Sequence, residues 1–145
     1  MFKKKEKEIK IVNDYPPKKI YKKAQKLFGK AFVDFDKGVV FAIDHTIYCR
    51  KMTDDLYVHE STHVEQQERV GWKKWWKMFF KDEKFRYNQE LEAYRKQYKY
   101  IKENIKDRNT QVKYLNFFAQ VLSSPLYGSI ITFEETKKQI RNNKQ

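Results

Sequence analysis

A chain of 145 residues has room for one compact domain and little for a second. Charged residues are 35% of it and the net charge is +13, yet ten Tyr, eleven Phe and three Trp argue against a disordered chain, because those rings can bury a large apolar area. A single cysteine, Cys49, excludes an internal disulfide and any cysteine-built zinc site, and Cys49 reads as a small strand residue.

Residues 1 to 7 read as a charged tail, and Glu8 to Val12 as a short strand. Pro16 and Pro17 mark a boundary. Ile20, Ala24, Leu27 and Phe28 then form a helical stripe that stops at Gly29. Alternation around Val33 and Phe35, the turn signal Asp36-Lys37-Gly38, and the apolar runs Val39 to Ile43 and Thr46 to Cys49 predict a meander of three short strands. From Thr53 onward the periodicity is helical. Helices are expected over Thr53 to Arg69 (capped by Thr53 or Asp54), Trp72 to Phe80, Asp82 to about Lys106, Asn109 to Ser123 and Thr132 to Arg141. Thr132 and Glu135 have capping-box spacing. The expected class is α+β: a small antiparallel sheet of about three strands with the helix over Thr53 to Arg69 and three to four others, all in one domain spanning 1–145, with a second short tail over 141–145.

His59-Glu60-Ser61-Thr62-His63 is an HExxH motif. Side chains four apart share a helix face, so both imidazoles can reach one ion. Glu60 projects about 100° away and can touch a metal-bound water without ligating the metal. Shuffling this composition produces the motif only about three times in a thousand. A third protein ligand is needed, with one position left for water. No histidine follows His63, and His45 lies upstream in the expected sheet, where it reads as a polar strand-end residue. A carboxylate is therefore expected, and Glu90 and Glu92 are both in place on the long helix. Two apart, they point to nearly opposite sides and cannot both bind.

His59 to Gln66, Gly71 and Glu90-Leu91-Glu92-Ala93-Tyr94 together resemble the gluzincins, thermolysin-like zinc metallopeptidases whose third ligand is a Glu on a later helix. The resemblance is closer to the minimal gluzincins, single small domains of about this length, several of them encoded by bacteriophages. It covers roughly residues 54 to 96. It implies a zincin-like active-site helix, one Zn2+ held by His59, His63 and Glu90, Glu60 as general base, and a peptide or protein as substrate. The second motif in that family often carries an Asp four residues after the ligand Glu. Tyr94 stands there instead, so the support of the zinc-bound histidines must differ. The oxyanion donor is commonly a Tyr or His away from the motif, which leaves Tyr94, Tyr98 and Tyr127 as candidates.

Trp72, Trp75, Trp76, Phe79 and Phe80 form one face of a strongly amphipathic helix whose other face is lysine. Core packing is the expectation for the rings, with a membrane-surface role as the competing reading. Phe117, Phe118, Val121 and Leu122 form another core stripe. The basic surface suits an acidic protein or nucleic acid. No run reaches membrane-spanning length and Met1 to Lys10 lacks a signal-peptide core, so a cytoplasmic protein is expected, or one carried in a phage virion. The competing function is a phage or assembly-associated structural protein with a stabilising or vestigial metal site.

Overall fold

The computed structural model describes residues 8–142, so the tail expected at 1–7 and the last residues of the one expected at 141–145 lie outside it. The class is α+β. Strand β1 (Lys10–Val12) leads into helix α1 (Lys18–Phe28), then strands β2 (Phe41–Ile43) and β3 (Thr46–Tyr48). Helices α2 (Asp54–Val70), α3 (Trp72–Lys81), α4 (Glu83–Asn104), α5 (Arg108–Leu122) and α6 (Phe133–Arg141) follow.

The sheet differs from the expected antiparallel meander. Its order is β1-β3-β2, with β2 and β3 an antiparallel hairpin and β1 parallel to β3. Val33 to Phe35 does not form a strand. Asp34 accepts a hydrogen bond from the backbone N–H of Asp36 at 3.0 Å and starts a single 3-10 turn at Phe35–Lys37. A short acidic side chain bonding its own backbone outcompeted the alternating pattern. The third strand is β1, brought back beside β3 by the excursion through α1. Five helices accompany α2 where three to four were expected; Lys18–Phe28 and Phe133–Arg141 are both full helices.

The hairpin turns on Asp44, at φ 56°, and is pinned to α2. Gln67 accepts from the Asp44 backbone N–H at 2.8 Å, and His45 bridges Asp44 and Glu68. His45 therefore serves the turn. The aromatic face of α3 is core, as expected: Trp75 and Trp76 pack with Phe41 of β2 and Ala24 of α1. A second cluster joins α4, α5 and α6 through Leu91, Ile101, Phe118, Leu122 and Ile140. Phe117 is the exception in its stripe, 59% exposed. Cys49 is buried against Ile47 and Val64, and burial pushes its thiol up, with Glu60 adding to the shift. Among the described residues no helix is long and apolar enough to cross a membrane.

Candidate metal centre

Helix α2 buries a polar face. Of its seven buried residues, His59, Glu60, Thr62, His63, Val64, Gln66 and Gln67, only Val64 is apolar. Such a face costs several kcal/mol unless its groups find partners. Thr62 Oγ1 donates to the Val58 carbonyl at 2.8 Å, and Gln67 Nε2 donates to the Ala42 carbonyl at 2.7 Å. The rest of the face turns toward α4, which buries Glu90 and Gln97 opposite it.

Two glutamines set the histidine tautomers. Gln66 Nε2 donates to the Gln89 carbonyl and to Glu92 Oε1, at 3.0 and 2.7 Å. Both partners only accept, so the amide cannot be turned round, and Gln66 Oε1 faces His63 Nδ1 at 2.8 Å. Gln97 repeats the arrangement: its Nε2 donates to Asp55 Oδ2 at 2.8 Å, and its Oε1 faces His59 Nδ1 at 2.9 Å. Both imidazoles must therefore carry the proton on Nδ1 and present Nε2 to each other and to Glu90.

The two Nε2 atoms lie 3.2 Å apart, and Glu90 Oε1 sits 3.1 Å from His59 Nε2 and 2.5 Å from His63 Nε2. Ligands about 2.0–2.1 Å from a tetrahedral zinc stand about 3.3 Å apart. Two edges of the triangle match that spacing, and the third lengthens by a modest rotation of the Glu90 carboxylate. Three lone-pair donors converging on one point repel unless a cation or a proton lies between them. The buried group His59, His63 and Glu90 can hold a metal ion. Without one, a proton takes its place. Burial pulls the His63 imidazole down, but Glu90 outweighs it and raises the pKa to about 9. Burial works against the Glu90 carboxylate as well, and the charges of His63 and His59 nevertheless hold it well below its usual range.

Glu60 is buried beside this triangle, with Oε2 3.9 Å from His59 Nε2, and makes no hydrogen bond among the described residues. Burial pushes its carboxyl up, against the pull of His59 and His63. It lines a cleft of about 450 Å³ with His63, Glu90, Tyr94 and Tyr127. The rest of the lining is mostly apolar, including Val40 and Phe41 at the sheet, Trp75 of α3 and Phe117 of α5.

The three tyrosines separate. The Tyr127 hydroxyl donates to Glu90 Oε2 at 2.7 Å and so orients the carboxylate. Tyr94 sets its ring edge-on to His59, centroids 4.5 Å apart, and its hydroxyl makes no hydrogen bond among the described residues. Burial, then Glu90, pushes both phenols well above their usual range, so both remain donors. Tyr98 belongs instead to the core between α4, α5 and α6. Glu92 supports Gln66 and pairs with Arg69 at 3.7 Å, away from the convergence point. Sequence reasoning missed Asp55 and Gln97, although the signal was present: Asp55 precedes His59 by four residues and Gln97 follows Glu90 by seven, each on the ligand face of its helix. The chain matches no protein-family model, no curated protein and no solved structure, so the geometry of this centre stands as the guide to function.

Proposed function

We propose that the chain is a zinc-dependent peptide-bond hydrolase of the gluzincin kind, with His59, His63 and Glu90 as ligands and Glu60 as general base. One observation carries the reading. Two imidazoles with their tautomers locked and a tyrosine-held carboxylate aim at one point, beside a buried carboxylate that is free and faces an open cleft.

Zinc bound there would lower the pKa of a coordinated water and polarise a substrate carbonyl. Glu60 takes the proton of the attacking water and returns it to the leaving amine. Burial pushes its carboxyl up, the direction that helps a carboxylate keep the proton between those two steps. Gln66 and Gln97 keep the imidazoles from rotating as charge shifts. Tyr94, which lines the cleft with its ring against His59 and its hydroxyl without a hydrogen bond among the described residues, is the donor to the developing oxyanion in this reading. Tyr127 is committed to Glu90 and acts as a positioning residue.

The test is metal analysis joined to cleavage of a proteome-derived peptide library. Wild type should carry about one zinc per chain, and His63→Ala should lose it. Glu60→Gln should keep fold and zinc but lose hydrolysis by several orders of magnitude, because the amide cannot accept a proton. A fully zinc-loaded wild type that cleaves nothing would return the site to a stabilising role in a structural protein.

A further inference from the structure

Helices α1 and α3 contain no acidic residue. Lys18, Lys19, Lys22, Lys23 and Lys26 lie on α1, and Lys73, Lys74, Lys77 and Lys81 on α3. These two helices supply +9 of a net charge of +13. Every one of the nine is exposed, as is Lys30 just beyond α1, and none pairs with a carboxylate among the described residues. The helices meet through Phe28 of α1 and Phe79 and Phe80 of α3, ring centroids 6.3 and 6.2 Å apart, with Lys23 Nζ over the Phe80 ring. Both helices bury their apolar stripes in the same cluster around Phe41 and Ile43, which leaves the lysines of each exposed.

Beside the lysines stand two apolar side chains that the core does not take up. Leu27 at the end of α1 is 50% exposed and Phe32, in the turn after Gly29, is 67% exposed. Phe32 also rims the metal-centre cleft.

We propose that the α1/α3 face docks on an anionic lipid surface, with the lysines on the headgroups and Leu27 and Phe32 inserted among the acyl chains. The arrangement favours lipid over nucleic acid. The cations are all lysine, point charges suited to a fluid headgroup layer, with no arginine fork for bidentate phosphate contacts. Four of the five aromatic residues of α3, Trp75, Trp76, Phe79 and Phe80, are buried, and Trp72 is half-buried under Lys73, so the helix presents no row of open rings for base stacking. Exposed leucine and phenylalanine gain nothing from a phosphate backbone and gain substantially from an acyl layer. The inference does not rest on the metal centre. It places one rim of the cleft at the membrane surface.

The test uses the full chain and vesicle flotation, with phosphatidylcholine alone or mixed with phosphatidylserine. A Phe32→Trp variant reports insertion, read by selective comparison with the unsubstituted chain, whose three tryptophans give the background. Binding to mixed vesicles only, weakening with salt, together with a blue shift from the Trp at position 32, is the expected result. Reversing Lys22, Lys26, Lys73 and Lys77 to Glu should cut binding more than about a hundredfold. Leu27→Ser with Phe32→Ser, which empties no core position, should cut it about tenfold or more. Equal binding to neutral vesicles, no binding to mixed ones, binding without the shift, or preference for a DNA duplex over mixed vesicles would each overturn the proposal.

Discussion

At the scale of single residues, the geometry of the centre depends on side chains outside the His59, His63 and Glu90 triangle. Gln66 and Gln97 each have an amide whose nitrogen is tied to acceptors, so the oxygen must meet a histidine Nδ1–H. In Gln97 the tie is Asp55, and a carboxylate thereby reaches His59 through an amide. Gln66→Leu and Gln97→Leu should each weaken zinc binding about 10–100-fold, measured by competition with a chromophoric chelator. Glu90→Gln should weaken it more than Glu92→Gln, which leaves Gln66 its bond to the Gln89 carbonyl. An equal loss from the two would make Glu92 a ligand. His59 and His63 were legible in sequence because helical spacing brings them to one face, whereas Glu90 was singled out over Glu92 only by the family resemblance. The amide orientations were not, because they depend on which acceptors α4 presents to α2.

At the scale of elements, the short 3-10 turn Pro125–Tyr127 carries Tyr127 to Glu90, and Gly128 ends it at φ 78°. A Cβ at Gly128 would fall 1.8 Å from Glu83 Oε2. Gly128→Ala should therefore lose about 1–2 kcal/mol of stability from backbone strain and also weaken metal binding as Tyr127 shifts. Gly38→Ala is the comparison. It has φ 102° but nothing within 4 Å, so thermal denaturation should drop while metal affinity holds. The helices from α2 onward were readable to within a few residues, since long amphipathic runs with caps leave few alternatives. Thr132 does cap α6, accepting from the Glu135 N–H at 3.3 Å. The sheet was less readable. Three-residue strands carry little periodicity, and nothing in Lys10–Val12 says whether it pairs parallel or antiparallel.

At the scale of the whole molecule, the metal centre couples folding to pH. His63 without a metal has its pKa raised from 6.5 to about 9. A raised value means that protonated His63 stabilises the fold fully below pH 6.5, and that this contribution is lost as pH rises to about 9. Chelator-treated protein should therefore melt at lower temperature as pH climbs through that window. Zinc-saturated protein should show little of this decline, because the ion replaces the proton and binds more tightly as proton competition fades. A chelated protein whose melting temperature is flat across the window would show that no proton bridges the ligands. The sheet has a further consequence. The outward-facing carbonyl of Ala42 on edge strand β2 is already taken by Gln67 Nε2 and by Trp76 Nε1, at 2.7 and 3.2 Å. By the two-residue alternation of a ladder, the next outward backbone groups belong to Val40, at the cleft. A strand laid along this edge thus finds a footing at Val40 and a dead end at Ala42. Two molecules therefore cannot zip together through β2 past Ala42.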